Sequence, residues 1–343
     1  MIDESLLDSL RELAEAADAR AVWPIRSWQS LAGAGLLRYG IPRPLGGEDR
    51  TASETSDRNE ALSGACLTTA FILSQREAAV RRLLVSDRAD LQRQYLPRAA
   101  TGEIYLTVGL SQLTTSRQHR APSLVADPDG DGYRVQGEIP WVTGASQAEA
   151  IVVGATLPDD SQILFLLPKG HAGVTIDPPM ALSSLLGSLT SSVRCEGVRI
   201  GRDLLLAGPA PQILGPAGGG GLETSCLALG LASAAIDWLA VQGRQRSEAA
   251  DAALRLGAVR DGLRADLHRL AREKPGVEVV LKFRTDCSML AMRATQVALI
   301  VAKGTGFVAP HPVQRWARQA LFFLVWSCPR SVSDGLLGEL LPG

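Results

Sequence analysis

Hydrophobic positions along this chain change their spacing twice. Over residues 1–104 they recur every three or four residues, as with Leu6 and Leu10, which is the spacing of amphipathic helices. From Ile104 onward, apolar residues instead alternate with polar ones in short runs, a pattern typical of β-strands. Beyond residue 221 the helical spacing returns and continues toward the C-terminus.

The first two segments predict distinct elements. The N-terminal segment is expected to be helical, and Pro97, which follows the apolar stretch 91–96, is expected to stop its last helix. The middle segment contains β-prone runs separated by turn-forming residues. They cover residues 105–112, 123–126, 133–135, 150–155, 163–167, 174–176 and 192–200. Several short strands at this spacing predict a small sandwich or barrel.

A glycine-rich run at residues 215–221 has the composition of a linker and precedes the C-terminal segment. Four long helices joined by short loops are predicted after it, and such a pattern favours a bundle. They cover residues 224–246, 252–273, 277–303 and 312–327. The predicted fold class is therefore α+β, in three domains. These are an N-terminal helical domain at 1–104, a central β domain at 105–210 and a C-terminal four-helix bundle at 211–343.

Composition narrows the class of protein. Of 343 residues, 46% are apolar and 21% are charged, as in ordinary globular proteins, and the net charge of −1 gives no basis for binding nucleic acid or an anionic membrane. We expect no apolar run long enough to cross a bilayer, and the polar start does not resemble a secretory signal. The five cysteines form no Cys-x-x-Cys pair and the four histidines lack metal-ligand spacing. We therefore expect reduced thiols in the cytoplasm and no metal.

The most informative motif of the middle segment is Val-Gln-Gly-Glu-Ile-Pro-Trp-Val-Thr-Gly, residues 135–144. It resembles the Leu-x-Gly-x-Lys-x-Trp-Ile-Thr-Asn motif of the acyl-CoA dehydrogenases. Residues two apart on a strand share a face, and a flat cofactor ring needs an aromatic wall and one fixed donor at its reactive nitrogen. The resemblance implies that the cofactor is FAD, that Trp141 packs against its flavin ring, and that Thr143 presents a hydroxyl to flavin N5.

A second part of this cofactor site is implied by Gly-Leu-Ser-Gln-Leu at 109–113, where family members carry Ala-Leu-Thr-Glu-Pro. Ser111 keeps the hydroxyl that contacts the flavin pyrimidine ring in the family, whereas Gln112 and Leu113 depart from the pattern. Thr115 and Ser116 would stand for a following Gly-Ser-Asp that touches phosphate or substrate.

The resemblance continues in the C-terminal segment. Arg246 ends a stretch that resembles the family helix closing in Tyr-x-x-x-Arg, which implies a guanidinium on the FAD diphosphate. A charge at a helix C-terminus is its structural alternative. Lys-Gly-Thr-Gly-Phe at 303–307 resembles the loop that completes the FAD site of a neighbouring subunit, with Gly304 and Gly306 allowing close backbone approach. A homodimer or homotetramer is therefore expected.

Two arginines follow in a stretch that resembles the family's Pro-x-Glu-Arg-x-x-Arg-Asp motif. Arg315 and Arg318 lie about one helical turn apart, and we expect them to form structural ion pairs or interface contacts. Gln319 stands where the family carries Asp, so one charged partner of that motif is missing.

The usual catalytic carboxylate is absent from both of its expected places. Ser327 stands where many family members carry the Glu of Tyr-Glu-Gly-Thr, which removes the α-proton of an acyl thioester. The other place falls in the segment replaced by the glycine run, and Glu223 is the only carboxylate close to it. A serine hydroxyl needs a partner to accept its proton, and a cysteine needs a lowered pKa. Ser327, Cys328 and Glu223 are therefore the candidate catalytic residues.

Three functions remain open. The lost carboxylate favours a flavin oxidase or monooxygenase that uses O₂ on an acyl thioester of specialised metabolism or on an aromatic substrate. A second reading is an α,β-dehydrogenase of acyl-CoA or acyl-carrier-protein thioesters with a relocated base. The third is a non-catalytic subunit that keeps the fold.

Overall fold

A computed structural model describes residues 2–114, 121–215, 221–273 and 275–342, and within them helices precede and follow a β-sheet. The N-terminal helices are α1 (Glu4–Ala19), α2 (Ile25–Gly33), α3 (Ala52–Ala65), α4 (Leu67–Leu84) and α5 (Ala89–Thr101). The third begins at a capping box, in which Thr51 and Glu54 satisfy each other's backbone N–H groups. Thr115, Ser116 and most of the glycine run lie outside the described residues.

Pro97 does not stop α5, as the sequence predicted, but lies inside it. A proline there removes one intrahelical hydrogen bond. Its neighbours Leu96 and Ala99 are completely buried, and their packing offsets that loss. The helix ends instead at Gly102, whose φ of 79° is the left-handed conformation that glycine adopts at helix ends.

The central segment forms one hydrogen-bonded sheet of eight strands. They are β1 (Tyr105–Gly109), β2 (Leu124–Asp129), β3 (Gly132–Val142), β4 (Ala148–Thr156), β5 (Gln162–Pro168), β6 (Val174–Ile176), β7 (Ser191–Ile200) and β8 (Leu205–Ala210). Their order is β6-β7-β3-β2-β4-β5-β8, and β1 pairs in parallel with β4. Most of these strands match predicted runs, whereas β8 had no predicted counterpart.

The C-terminal segment contains three long helices and two short ones over the described residues. They are α6 (Leu222–Gln242), α7 (Ser247–Arg272), α8 (Val277–Ala302), α9 (Pro312–Phe322) and α10 (Arg330–Leu340). The predicted last helix is too long by five residues, because α9 ends at Phe322 rather than at residue 327. Ser327 consequently lies in a turn, and α10 begins directly after Pro329.

α6 is the apolar centre of the helical part of the molecule. By length and composition it could cross a membrane, so the expectation that the chain has no such run was wrong. However, 72% of its apolar window is buried inside the protein, which is the behaviour of a core helix. It packs closely on α3, where a Cβ added to Gly230 would collide with the carbonyl oxygen of Glu60.

One continuous core joins all three segments. It includes Leu10 of α1, Leu62 of α3, Phe165 of β5, Leu229 of α6 and Ala294 of α8, all of which are fully buried. The predicted architecture of N-terminal helices, a central sheet domain and C-terminal helices is confirmed. The candidate residues therefore lie on elements that share one packed interior.

Candidate functional site

Trp141 and Thr143 lie at the end of β3 in different surroundings. Trp141 exposes 50% of its surface, although the next residue, Val142, is completely buried. Thr143 follows the strand and is 4% exposed. Gly144 then takes a left-handed φ of 63°, which turns the chain away from the strand. The structure thus leaves an uncovered indole face beside a buried hydroxyl.

Ser111 lies in a short 3₁₀ turn after β1. Its hydroxyl oxygen is buried and has no hydrogen-bond partner among the described residues. Gln112, which replaces the family's Glu, donates to the carbonyl oxygens of Gly109 and Gly154 at 2.8 and 2.7 Å and so ties β1 to β4. A buried hydroxyl without a partner is unfavourable unless a ligand satisfies it. Together with the open face of Trp141, it fits the polar edge and flat ring of a flavin.

Thr143 ends a chain of three buried hydroxyl groups. Its Oγ1 lies 3.4 Å from Thr190 Oγ1, which lies 2.9 Å from Ser188 Oγ. The backbone N–H of Gly144 donates to the Ser188 carbonyl oxygen at 2.8 Å. The turn before β7 is therefore attached to the end of β3 by both side chains and backbone.

Asp18, near the end of α1, is a site residue that sequence reasoning missed. It is completely buried, and its Oδ1 accepts from the Leu185 backbone N–H at 2.9 Å and from Gln319 Nε2 at 2.8 Å. Its Oδ2 forms an ion pair with Arg318 at 2.8 Å. Asp18 thus provides the charged partner that the sequence lacks at position 319.

The expected ion pairs of the two α9 arginines are confirmed. Arg318 pairs with Asp18, and Arg315 pairs with Glu15 at 3.0 Å, so both arginines bind the same helix, α1. Two charge pairs between one pair of helices fix their relative position. These contacts hold α9, and the turn that follows it, against the N-terminal segment.

Ser327 occupies a turn with a left-handed φ of 45°, in a largely apolar and aromatic setting. The neighbouring Trp326 stacks on Phe322 with ring centroids 5.1 Å apart and lies edge-on to Phe71. No carboxylate or imidazole of the described chain is hydrogen-bonded to the Ser327 hydroxyl. Among the described residues, none is therefore in place to accept the proton of the Ser327 hydroxyl.

A buried cation lies beside this turn. Arg284 of α8 donates to the carbonyl oxygen of Trp326, whereas its Nε and Nη1 are buried with no partner in the part of the chain that the structure describes. Burial lowers the pKa of Arg284 to about 10, so it remains charged at neutral pH. Burial also raises the pKa of the Cys328 thiol, although Arg284 opposes that shift. Cys328 is therefore a neutral thiol near pH 7, and the turn contains no base.

Glu223 lies elsewhere, in the first turn of α6, one third exposed and ion-paired with Arg81 at 2.8 Å. It borders a cavity of about 470 Å³ between α3, α4 and the C-terminal helices, together with Tyr39 and Glu77. Glu77 is held by Arg58 through a buried ion pair. The described lining of this cavity contains Glu223 but not Ser327, Cys328 or Thr143. The structure therefore does not bring the three candidate catalytic residues together.

His268 forms a second polar cluster, to which the sequence assigned no role. Its ring nitrogens lie 2.5 Å from Ser53 Oγ and 3.2 Å from an Asp57 carboxylate oxygen, with His268 on α7 and both partners on α3. Ala52 and Thr55 line the cavity that Glu223 borders, but Ser53 does not. The cluster of His268, Ser53 and Asp57 therefore acts as a bridge between α7 and α3. No group of His, Cys, Asp and Glu over the described ranges could hold a metal ion.

Arg246 and the 303–307 loop meet at the end of α8. Arg246 immediately precedes α7, and its Nη1 donates to the Val301 carbonyl oxygen at 2.7 Å, which is the structural alternative considered for it. A Cβ atom added at Gly304 would have no described heavy atom within 4 Å, whereas one added at Gly306 would collide with the Ala302 side chain. Gly304 therefore leaves backbone open to a ligand, and Gly306 is required by packing within the chain.

Known proteins resemble this chain over most of its length. Residues 1–103 match the family described as acyl-CoA dehydrogenase, N-terminal domain. A probable acyl-CoA dehydrogenase of Bacillus subtilis, YngJ, is 24% identical over 330 residues, which cover 90% of this chain and 87% of that protein. The human mitochondrial short-chain specific acyl-CoA dehydrogenase is 24% identical over 350 residues, covering 92% and 84% of the two chains.

Solved structures share the complete fold. Butyryl-CoA dehydrogenase from Megasphaera elsdenii superposes with a TM-score of 0.85 at 18% identity, covering 98% of this chain and 97% of the other. A prolyl acyl carrier protein oxidase, AnaB, gives a TM-score of 0.85 at 15% identity over 99% and 98% of the two chains. An acyl-CoA dehydrogenase from Bacillus anthracis, solved with FAD, gives 0.82 at 16% identity over 98% and 64%. The N-terminal domain therefore matches the acyl-CoA dehydrogenase family, and the chain as a whole resembles proteins of that name in sequence and shares the fold of solved acyl-CoA dehydrogenases.

Proposed function

We propose that this protein is an FAD-dependent oxidoreductase that removes hydrogen from the α and β carbons of an acyl thioester carried by CoA or an acyl carrier protein. The observation that carries the proposal is the similarity along almost the whole chain to proteins named acyl-CoA dehydrogenases. That similarity supports the dehydrogenase reading of the sequence more strongly than the oxygen-using reading.

Three residues of the β domain would hold the flavin. The buried hydroxyl of Ser111 would form a hydrogen bond with the flavin ring, and the half-exposed indole of Trp141 would cover one face of that ring. The hydroxyl of Thr143 would lie at flavin N5. When bound, FAD would supply the acceptor for the hydride that leaves the β-carbon. We propose further that Arg246 and the Gly304 backbone contact the FAD of a second copy, in a homodimer or homotetramer.

The oligomer proposal is supported by the loop itself. Phe307 and Val308, a few positions beyond Gly304, expose 77% and 63% of their surface. Large apolar side chains exposed side by side favour contact with another protein surface. We retain the cytoplasm as the proposed location, since the even charge balance and scattered thiols suit it.

None of the three candidate residues is placed to act as the base for the α-proton. Ser327 has no proton acceptor among the described residues, and Cys328 is neutral near pH 7. Glu223 is ion-paired with Arg81 on the wall of a cavity of about 470 Å³ whose described lining does not include Thr143. Because the α and β carbons are bonded to each other, the base and flavin N5 must face the substrate within one pocket, and Glu223 does not meet that condition.

Anaerobic reduction of the purified FAD-loaded protein by butyryl-CoA tests the proposal. Loss of the oxidised flavin absorbance without oxygen is expected, and Thr143→Val should slow it about tenfold because the hydroxyl proposed to meet flavin N5 is lost. Thr143→Ser, which keeps the hydroxyl, is the matched control, and Glu223→Gln should react like the wild type because its cavity does not include Thr143. The opposite outcome is a flavin that acyl thioesters do not reduce, together with peroxide or hydroxylated product formed in air. That outcome would support the oxygen-using function instead, which a serine in place of the usual carboxylate at position 327 also favours.

A further inference from the structure

The hydrogen bonds that link Ser188, Thr190 and Thr143 have one favourable donor-to-acceptor direction, because these hydroxyl groups are buried. Ser188 is completely buried, and Thr190 and Thr143 are 5% and 4% exposed. Among the described residues, the Ser188 hydroxyl has one hydrogen-bond partner, Thr190, and the Thr190 hydroxyl has two, Ser188 and Thr143. Water does not reach Ser188, so its hydrogen must go to Thr190 or remain unpaired.

Each hydroxyl group carries one hydrogen. If Ser188 donates to Thr190, then Thr190 donates to Thr143, and the hydrogen of Thr143 is left free to point away from the chain. In the opposite direction, the Ser188 hydrogen would be buried without an acceptor, which is unfavourable. The chain therefore favours the arrangement in which the hydrogen of Thr143 points away from Thr190 and is free to be donated.

The turn that carries Ser188 is held in place from α1. Leu185 and Leu189 both adopt left-handed backbone angles, with φ of 61° and 46°, which cost energy in residues other than glycine. Asp18 accepts the Leu185 backbone N–H at 2.9 Å. Gly187 packs so closely on α1 that an added Cβ would lie 2.5 Å from the Ala17 carbonyl oxygen. These contacts keep the turn in a conformation that it would not adopt alone.

We propose that Ser188 and Thr190 are positioning residues that make the Thr143 hydroxyl a hydrogen-bond donor to the flavin. This inference rests on the proposed function, in which FAD binds beside Thr143. A donor to the N5 lone pair would draw electron density from the oxidised ring and so make N5 a better acceptor for hydride. Ser188 and Thr190 act through Thr143 and touch neither flavin nor substrate.

The test compares Thr190→Val and Ser188→Ala with Thr190→Ser, a conservative control that keeps the hydroxyl. The purified proteins are loaded with FAD, and the flavin midpoint potential, the visible spectrum and the single-turnover rate of reduction by butyryl-CoA are measured. Thr190→Val should shift the potential and the spectrum and slow reduction about threefold, the equivalent of one weak hydrogen bond. Thr190→Ser should restore all three values, and Ser188→Ala should show a smaller change in the same direction.

The outcomes separate this inference from the proposed function. If Thr190→Val and Ser188→Ala bind FAD fully and match Thr190→Ser in potential and spectrum, the positioning role is overturned. If the wild type itself retains no FAD, the proposed function is wrong, and the positioning role, which depends on bound FAD, is wrong as well. If Thr190→Val unfolds, Ser188→Ala, which removes only the end of the chain, decides by the same readings.

Discussion

The two sides of the proposed flavin site differ in how far they follow the family pattern. On the β side, Trp141, Thr143 and Ser111 present an open indole, a hydroxyl held in a chain and a hydroxyl without a partner. On the helical side, the turn at Ser327 presents a hydroxyl without an acceptor and a neutral thiol. The groups at the end of β3 would suit a flat cofactor, whereas Ser327 and Cys328 offer no base near pH 7. Cofactor binding and proton transfer are therefore expected to respond to different substitutions in this protein.

Removing Asp18 should have the largest effect, because it joins the two sides. Asp18→Ala would leave the Leu185 N–H and the Gln319 amide unpaired and remove the partner of Arg318. We expect a loss of about 3 kcal/mol in the free energy of unfolding, measured by urea denaturation. Glu4→Ala is the control on the same helix, and because its ion pair with Arg11 is exposed, its loss should cost less than about 1 kcal/mol. Equal losses for the two variants would contradict the central role of Asp18.

A carboxylate restored at position 327 should produce the next largest effect. Ser327→Glu would place an acid beside the buried Arg284, whose unpaired Nε and Nη1 can stabilise its charge. We expect flavin reduction by butyryl-CoA to become about tenfold faster, measured in anaerobic single-turnover experiments. Ser327→Gln has similar size without charge and should give no gain. A Ser327→Glu variant no faster than Ser327→Gln would show that the turn is not placed to meet the substrate.

Cys328 should have the smallest effect. Burial raises the pKa of its thiol in the folded protein, so Cys328→Ser should change the rate of flavin reduction at pH 7 by less than about twofold. Because the folded pKa exceeds the unfolded one, the thiol contributes stability below the unfolded pKa, and this contribution is lost as the pH rises through the folded pKa. The wild type should therefore lose stability relative to Cys328→Ser in alkaline urea titrations. A large rate loss at pH 7 would identify Cys328 as a reacting group.

The sequence predicted elements well where periodicity and burial agree. The continuous apolar run at residues 150–155 corresponds to β4, which is buried on both faces, and the alternation at 192–200 corresponds to β7, which is buried on one face. β8 was missed because its Gly208-Pro209 pair reads as a turn, although its neighbours still pair with β5. The prediction that Pro97 ends α5 was wrong, because the packing of its neighbours outweighs the tendency of proline to end a helix.

The candidate site was less predictable because its partners are distant in the sequence. Asp18 and Gln319 are 301 positions apart, and no local pattern marks an acid in α1 as the substitute for one missing from α9. The turn at Ser327 was predicted as helix because Phe322 to Trp326 are apolar, whereas the chain turns there and restarts at α10. The motif around Trp141 was informative because strand and turn together position its residues locally.

The close crossing of α3 and α6 bears on how the chain is made. Glu60 of α3 and Gly230 of α6 approach each other backbone to backbone. Ser63 of α3 donates to the Leu227 carbonyl oxygen of α6, and Ser233 of α6 donates to the Glu60 carboxylate. A ribosome releases the N-terminal helices long before it has synthesised α6, which starts at Leu222. A nascent chain must therefore leave these polar groups of α3 hydrated until the last third of the protein emerges.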